Sequence, residues 1–481
     1  MEYDVVVVGA GGAGMTAAMA AADAGAKVIN VEKMPRIGGV WATRGGSFSG
    51  ACSRVQFKGG VFNDSPSLYY ADCMRWANIR AWSDPRVLKY YCEHAGEAVD
   101  FFDSLGAFSP PWDKAYPGQY GDPWSVPRAY AIFGPIHRYM EPLYKKRVDR
   151  GDITIKTGTA VTDLIQKDGR ITGIRIRSDD GKVSDIPSGA VVMATGGFGS
   201  NMELIRKNLP SAAILMTHTP AFARGEGLSM CEKVGAAIVN MEHTIATGPY
   251  GGGVPNPEDP SREIAHINMI KYPGAIWVNS LGKRVVREDV AMPPVLYPPA
   301  LKDAIAATPD LILNVFIDSR MRSSNKTILS PIFGVPERPW EWFDEKANEG
   351  IIIKKANTVE ELAGKLGISG SVLVETISKW NKSVENKKDE EFGREELNFK
   401  LENPPFFGIK TGTMVIASCG GPAVNTRMEV IDVTGKSIPG LYAAGEVQGY
   451  QGAGTGCYDS GNIVFGRQAG LMAALFSRPR K

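Results

Sequence analysis

The chain has 481 residues, of which 43% are hydrophobic and 22% are charged, and its formal net charge is +2. This composition is typical of a globular protein with two or three domains, and the near-neutral charge argues against a nucleic-acid binder. No apolar run approaches the roughly 18 residues that a transmembrane helix needs. No basic segment with a cleavage site precedes the first predicted strand, so we expect a cytoplasmic protein.

The N-terminal residues predict a strand, a helix and a second strand. YDVVVV (3–8) is an unbroken β-branched run, which is typical of a buried parallel strand. A helix of small residues (12–26) follows, and KVINVEK (27–33) is predicted as the next strand. Together these segments predict a βαβ unit.

The loop between the first strand and the helix reads GAGGAG and places Gly9, Gly11 and Gly14 in a GxGxxG pattern. Gly9 permits the tight turn, Gly11 permits close approach of a pyrophosphate, and Gly14 permits close helix–strand packing. The helix N-terminus supplies N–H groups and partial positive charge to phosphates. Glu32, at the end of the second strand, can accept hydrogen bonds from ribose hydroxyls. The strand, the helix and the acid in register therefore predict a dinucleotide site.

The rest of the chain suggests one domain interrupted by another. Short strands with DG-type turns lead to a further buried strand, AVVMATGG (190–197). After it, prolines become more frequent and strand–helix alternation fades, and a charged run (385–396) is interpreted as a solvated surface loop. Strands return, and an apolar helix (463–476) closes the chain. We predict a first domain from 1–240 and 413–481, with a second domain, 241–412, inserted between its halves.

The turns that follow Glu32 favour FAD over NAD. The acid continues into a second glycine turn at Gly38 and Gly39, and the motifs MATGG (193–197) and GLYAAGE (440–446) come much later. A long FAD molecule needs this set because its isoalloxazine is held far from its adenosine, whereas NAD enzymes do not need it. The six scattered cysteines form no CxxC pair and the five histidines no HExxH spacing, so we expect free thiols and no metal.

These motifs, with GAIWVNSLGKRVVRED (274–289) and the segment from Cys419 to Glu446, resemble the flavoprotein family of fumarate reductase, succinate dehydrogenase and 3-ketosteroid Δ1-dehydrogenase. The resemblance covers nearly the whole chain, and the ketosteroid branch is the most similar. It implies an α/β fold in which a glutathione-reductase-type FAD-binding Rossmann domain is interrupted by an α+β capping domain. The substrate is then expected between the two domains, against the flavin.

The resemblance also implies the cofactor contacts. The glycine loop would hold the pyrophosphate, Glu32 the adenosine ribose, the Val161 backbone the adenine, and Glu446 the ribityl hydroxyls. The turn that begins at Asp459 would start a helix whose N-terminus faces the flavin. No histidine lies between Glu32 and residue 50, so FAD is expected to be non-covalent. The positions assigned to the cofactor are Gly9, Gly11, Gly12, Ala13, Gly14, Glu32, Lys33, Gly38, Gly39, Thr43, Ser47, Val161, Ala194, Thr195, Gly196, Glu446, Asp459, Ser460 and Gly461.

The resemblance to the dicarboxylate branch is incomplete. Fumarate and succinate enzymes of the family grip two carboxylates with arginines and a histidine. Here Cys419 precedes the GG pair, the loop at 449–456 has no arginine, and Met292 stands at the position of an arginine proton donor. A buried dicarboxylate would lack partners, which is strongly unfavourable.

The loop YQGAG (450–454) resembles the YPGAG or YPGPG loop of the ketosteroid dehydrogenases. The resemblance implies that the Tyr450 hydroxyl and the backbone N–H of Gly454, or of its rival Gly456, hold a ketone oxygen. Two such donors stabilise the negative charge that develops when an α-proton leaves.

The base that takes this proton is left open. The ketosteroid dehydrogenases place a tyrosine where this chain has Met292, so Tyr297 is the first candidate, with Tyr272 and His266 as alternatives. A tyrosine base needs a lowered pKa, which a second tyrosine could provide. The candidates for this second tyrosine are Tyr116 and Tyr120, in an aromatic segment that also contains Trp112 and Trp124.

The sequence thus predicts α,β-dehydrogenation of a small, apolar cyclic ketone, such as a cyclohexanone or a 3-ketosteroid, with β-hydride transfer to flavin N5. The alternatives are an ene-reductase of an unsaturated ketone or acid and a non-catalytic flavoprotein subunit. Arg128 and Arg138 are expected either to meet a substrate carboxylate or to pair with acids. The electron acceptor is unknown, and the chain is expected to be a monomer or a homo-oligomer.

Overall fold

The structure is a computed structural model that describes residues 3–80, 84–108, 115, 124–132, 134–209, 216–247, 253–259, 261–266, 274–291, 312–324, 340–449 and 457–478. Its strands are β1 Tyr3–Val8, β2 Val28–Val31, β3 Gly46–Ser49, β4 Ala129–Ile132, β5 Ile153–Lys156, β6 Thr159–Lys167, β7 Arg170–Ser178, β8 Val183–Met193, β9 Met216–Thr217, β10 Ile238–Val239, β11 Thr244–Thr247, β12 Gly253–Pro255, β13 Glu263–His266, β14 Ile276–Asn279, β15 Ile312–Asp318, β16 Ile353–Ala356, β17 Phe406–Gly412, β18 Met414–Ser418, β19 Gly421–Pro422, β20 Glu429–Ile431 and β21 Ser437–Ala443. Its α-helices are α1 Gly12–Asp23, α2 Arg54–Lys58, α3 Pro66–Arg80, α4 Pro85–Ser104, α5 His137–Asp149, α6 Met202–Asn208, α7 Glu226–Lys233, α8 Ser319–Ser324, α9 Trp340–Glu349, α10 Val359–Leu366, α11 Gly370–Glu385 and α12 Cys457–Ser477, with 3-10 helices at Gly39–Ala42 and Glu288–Ala291.

The first core is built on a sheet with the order β20-β21-β8-β1-β2-β5, in which β1 pairs in parallel with both β2 and β8. The β1 valines are at most 4% exposed, as a strand covered on both faces requires. Val8 lies opposite both Val31 and Met193, and Met193 lies opposite Ala443. The four strands therefore end at one edge, where ligands of open α/β sheets bind.

The C-terminal helix α12 returns to the N-terminal unit and packs against α1. Its Gly466 and Gly470 lie against the carbonyl oxygens of Ala13 and Ala17, so that a Cβ at either glycine would come within 2.7 and 2.1 Å of them. These contacts between backbones explain the run of small residues in both helices. The two ends of the chain therefore build one unit, as the sequence predicts.

A second core surrounds the sheet β13-β12-β17-β15-β14, with β16 paired to β17. Its fully buried side chains come from this sheet and from the helices α9 to α11, and they include Trp277, Phe343, Leu373 and Trp380. These elements lie inside the range predicted for the inserted domain. The α/β architecture with a capping region is confirmed, while the boundaries at 240 and 412 stay predictions.

The charged run at 385–396 is not simply a solvated loop. Asp389 and Arg394 are 5% and 3% exposed, because they join a buried ion cluster of the capping core. Arg284 contacts Glu288 at 2.6 Å and Asp389 at 3.0 Å, and Arg394 contacts Glu288 at 3.3 Å. Sequence pattern alone missed this cluster because its members are up to 110 positions apart, from Arg284 to Arg394. Within the described part of the chain, no helix is long and apolar enough to cross a membrane.

Candidate functional site

The carboxyl ends of the parallel strands bring the predicted cofactor residues together. Glu32 follows β2, and its carboxylate accepts hydrogen bonds from the backbone N–H groups of Ala10 (2.7 Å) and Met34 (2.8 Å). Its backbone oxygen accepts a hydrogen bond from Thr159 at the start of β6, the strand that contains Val161. The acid is thereby fixed beside the glycine loop, at the place where the sequence predicts the adenosine ribose.

The glycine loop packs so closely that most of its positions exclude a side chain. A Cβ at Gly14 would lie 1.9 Å from the oxygen of Gly9, and a Cβ at Gly9 would lie 2.4 Å from the oxygen of Ala194. Gly11 differs, because the nearest atom to its Cβ would be Cα of Gly39, 3.9 Å away. Gly11 caps α1 without a side-chain hydrogen bond, and no acid lies in the first turn. The open N–H groups and partial positive charge fit a pyrophosphate.

The second glycine turn meets the first one directly. The N–H of Gly38 donates to the carbonyl oxygen of Ala10 at 2.8 Å, and Gly38 has a φ of 106°, in the left-handed region. The 3-10 helix that follows packs the Trp41 ring against Gly12, so that a Cβ added at Gly12 would lie 2.8 Å from the ring. Thr43 ends this helix and donates its hydroxyl to the Val40 carbonyl. Trp41 is a residue of this region that the sequence reading missed.

Asp459 joins the second glycine turn to the C-terminal helix. Its carboxylate accepts hydrogen bonds from Trp41 Nε1 (2.6 Å), Arg44 (3.1 Å) and the backbone N–H of Ser47 (3.2 Å). The next residue, Ser460, exchanges two hydrogen bonds of 2.9 Å with the Ser49 backbone. The helix begins at Cys457, two residues before the predicted turn. The structure therefore brings Ser47, Asp459 and Ser460 together, with protein groups holding the carboxylate.

Glu446 lies at the same edge, after β21. Its Oε1 accepts hydrogen bonds from the backbone N–H (2.9 Å) and hydroxyl (3.1 Å) of Ser418. A Cβ at Gly197 would lie 2.1 Å from the Ser418 hydroxyl oxygen and 2.3 Å from this carboxylate, so only glycine fits there. Burial raises the pKa of Glu446, and the Ser418 hydrogen bonds and the Arg44 charge oppose that rise.

Several residues at this edge keep accessible surface although their chain neighbours are buried. Gly11 and Glu446 are partly accessible, whereas the residues from Gly12 to Ala18 and from Leu441 to Gly445 are buried. The other partly accessible residues here are Gly9, Gly39, Thr195, Gly196 and Tyr458. Glycines, acids and hydroxyls at the carboxyl ends of parallel strands are groups that suit a dinucleotide such as FAD.

Lys33 and Arg128, for which the sequence suggests contacts to the cofactor or the substrate, bind other residues of the protein. The Lys33 ammonium contacts the carbonyl oxygen of Phe222 at 2.7 Å and Glu226 at 2.6 Å, at the start of α7. Arg128 is fully buried and bonded to Asp64 and Asp72, so its predicted alternative as a substrate contact is wrong and its pairing with acids is confirmed.

The predicted catalytic residues lie outside the described residues. These are Tyr116, Tyr120, Tyr297, Tyr450 and Gly454, together with Tyr272 and Met292. The backbone of His266 is described at the end of β13, paired with Gly253. Their roles stay predictions.

Replacing Glu446 by glutamine is expected to stabilise the protein without FAD at neutral pH. An unfolded glutamate has a pKa of about 4.3, and the folded pKa is higher. The folded state therefore binds more protons than the unfolded state between these two values, and stability falls as pH rises through that window. Urea unfolding of FAD-free protein from pH 4 to 8 should show this decline in the wild type and less of it in Glu446→Gln. An equal decline in both proteins would contradict the assignment.

Comparison with known proteins supports the cofactor. A family model described as "FAD binding domain" matches residues 4–460. Fumarate reductase (cytochrome) from Shewanella frigidimarina is 32% identical over 485 residues, covering 99% of this chain and 77% of the relative. NADH:fumarate oxidoreductase from Klebsiella pneumoniae (strain 342) is 29% identical, and the alignment covers 99% of this chain but 48% of that protein. Vinyl phenol reductase from Lactiplantibacillus plantarum is 27% identical, with 99% and 97% covered.

Two solved structures share the fold. The open conformation of a flavocytochrome c3 fumarate reductase has a TM-score of 0.77 at 26% identity, covering 99% of this chain and 78% of that one. The 3-ketosteroid Δ1-dehydrogenase from Sterolibacterium denitrificans, in complex with 1,4-androstadiene-3,17-dione, has a TM-score of 0.76 at 18% identity, with 98% and 99% covered. The second likeness concerns the fold alone.

Proposed function

The chain belongs to the family of FAD-binding flavoproteins, and on this premise we propose that it reduces a conjugated carbon–carbon double bond. FAD is its cofactor, and the chain is an FAD-dependent oxidoreductase. The observation that carries the direction is that the fumarate and vinyl phenol reductases align with 99% of this chain. The ketosteroid dehydrogenase, at 18% identity, carries no argument for the substrate.

We further propose that the substrate is neutral, such as an unsaturated ketone or a vinyl phenol. Met292 stands where the resemblance places an arginine, and residues 449–456 contain no lysine or arginine. Arg44 and Arg128 are already paired with buried aspartates. Two substrate carboxylates would have none of these cations as partners, and the desolvation of charges without partners is strongly unfavourable.

Bound reduced FAD supplies a hydride to one carbon of the double bond. The residues of this chain would fix its position: Ser418 holds Glu446, which would bind the ribityl chain. The N-terminus of α12 would offer partial positive charge to the reduced flavin. At the substrate, the Tyr450 hydroxyl and the Gly454 N–H would hold a carbonyl oxygen and stabilise the charge that develops on it.

Dehydrogenation of a cyclic ketone, the first prediction from the sequence, is the second candidate. The specific observation in its favour is the loop YQGAG (450–454), with its resemblance to the ketone-binding loop of ketosteroid dehydrogenases. The two candidate reactions would use the same protein contacts, but hydride and proton move in opposite directions in them. The flavin potential and the electron partner decide between them.

Anaerobic rapid mixing tests the direction. Protein reduced with dithionite is mixed with cyclohexenone, 4-vinylphenol or fumarate, and oxidised protein is mixed with cyclohexanone or a 3-ketosteroid, while flavin absorbance is recorded. We expect cyclohexenone or 4-vinylphenol to restore the oxidised spectrum and fumarate to restore it far more slowly. Rapid bleaching by a saturated ketone, without reoxidation by either neutral alkene, would instead establish the second candidate. Fast reoxidation by fumarate would overturn the neutral substrate.

Replacing Tyr450 by phenylalanine is expected to lower turnover by roughly 100-fold, as the loss of one oxyanion donor does. The flavin spectrum and the FAD content should not change. Tyr442→Phe is the matched control, because the Tyr442 hydroxyl is buried in β21 and has no hydrogen-bond partner among the described residues. A Tyr450→Phe protein as fast as the control would remove Tyr450 from the site.

A further inference from the structure

Tyr458, the second residue of α12, is linked through Ser418 to Glu446, the predicted ribityl-binding acid. Its hydroxyl is 3.4 Å from the Ser418 carbonyl oxygen, to which it donates, and 3.4 Å from the Cys419 sulfur. Ser418 in turn donates its N–H and hydroxyl to Glu446. The last residue of β18, an acid that follows β21 and a residue in the first turn of α12 therefore form one hydrogen-bonded chain.

Tyr458 stands among buried residues but is not itself fully buried. Cys457, Asp459 and Cys419 are buried, whereas Tyr458 retains accessible surface, as Glu446 does. Burial, together with Cys419 and Glu446, raises the pKa of Tyr458 well above the ordinary value for tyrosine. Its hydroxyl therefore carries its proton at neutral pH.

We propose that Tyr458 is the proton donor to the substrate in this site, an assignment that rests on the proposed C=C chemistry. As hydride enters the β carbon, the O–H bond of Tyr458 breaks and a C–H bond forms at the α carbon. The phenolate that remains regains a proton from water, so each reduction consumes one hydride and one proton.

The neighbouring groups leave Tyr458 as the suitable donor among the described residues of this edge. The Asp459 carboxylate is occupied by Trp41, Arg44 and Ser47, and Glu446 is held by Ser418. Ser418 and Cys419 are 0% and 4% exposed, so both are less accessible than Tyr458. A tyrosine also suits a neutral substrate, because it delivers a proton without adding a permanent charge.

The experiment compares wild type, Tyr458→Phe and the control Tyr442→Phe in the direction in which the wild type turns over. We expect Tyr458→Phe to keep its flavin spectrum and to slow the half-reaction with substrate by roughly 100-fold. The direction in which the wild type reacts tests the proposed function. The ratio of the wild-type rate to the Tyr458→Phe rate tests the role of Tyr458. A Tyr458→Phe rate equal to that of Tyr442→Phe would overturn the assignment.

The configuration of the product made from 2-methylcyclohexenone supplies a second readout. Protonation at the α carbon sets the configuration there, so a donor fixed on α12 should give one enantiomer of 2-methylcyclohexanone. Residual product from Tyr458→Phe, protonated by water, is expected to be nearly racemic. Racemic product from the wild type, or unchanged enantiomeric purity in Tyr458→Phe, would overturn a proton transfer from this residue.

Discussion

Gly11→Ala is expected to yield a folded protein that has lost FAD, whereas Gly14→Ala is expected to lose both FAD and stability. In Gly14→Ala the new Cβ would lie 1.9 Å from the backbone oxygen of Gly9. Because this clash involves a backbone atom, no movement of a side chain can relieve it. We expect a loss of about 3 kcal/mol in the free energy of unfolding. At Gly11 the nearest atom would be 3.9 Å away, so the fold accommodates the methyl group.

The methyl group of Gly11→Ala would instead occupy the space where the pyrophosphate meets α1. Charge-assisted hydrogen bonds are worth about 1.5–3 kcal/mol each, so the loss of one or two weakens FAD binding by roughly 100-fold or more. FAD titration by flavin fluorescence and urea unfolding of FAD-free protein measure the two quantities separately. Equal losses of stability in both variants, or wild-type FAD affinity in Gly11→Ala, would contradict the placement of the pyrophosphate.

Arg128→Leu is expected to cause a large loss of stability. The guanidinium is fully buried, lies 2.7 Å from Asp64 and 2.6 Å from Asp72, and packs 4.6 Å from the centre of the Tyr69 ring. Its removal leaves the buried Asp64 without its cation and leaves Asp72 with the more exposed Arg75 as its ion-pair partner. Breaking a buried pair costs about 3–5 kcal/mol, so we expect a change of that size in the free energy of unfolding.

Arg175→Leu is the matched control for this prediction. Arg175 contacts Asp185 at 2.8 Å, but both side chains are about half exposed, at 48%. Solvent and salt screen such pairs, so we expect no measurable change. Urea unfolding of the three proteins at equal pH measures the difference. Similar stabilities for Arg128→Leu and wild type would mean that the buried carboxylates are protonated or solvated once the arginine is gone.

Much of the cofactor edge could be predicted from the sequence because its signals are local. Gly9, Glu32, Ala194 and Glu446 each follow a strand within three residues. Parallel pairing aligns the ends of those strands, so residues that are far apart in the chain meet at one edge of the sheet. The family model and the fold comparisons confirm the cofactor and the fold, while the individual contacts to FAD stay predictions.

The contacts between distant segments could not be predicted in the same way. Trp41 donates to Asp459 across 418 positions, and Tyr458 reaches Ser418 across 40. Neither pair leaves a periodic or spaced signature, because the geometry depends on how α12 packs against the second glycine turn and against β18. The same limit applies to Arg128, for which the sequence left open a substrate or a structural partner.

The sequence by itself determined the βαβ unit, the dinucleotide site and the choice of FAD, because glycine turns, strand hydrophobicity and a terminal acid are properties of short segments. Only the tertiary structure decided that Asp459 is held by protein groups, that Arg128 is a buried structural cation and that Tyr458 is hydrogen-bonded to Ser418. Burial and hydrogen bonding arise from packing between segments, so they are fixed only when the whole chain has folded.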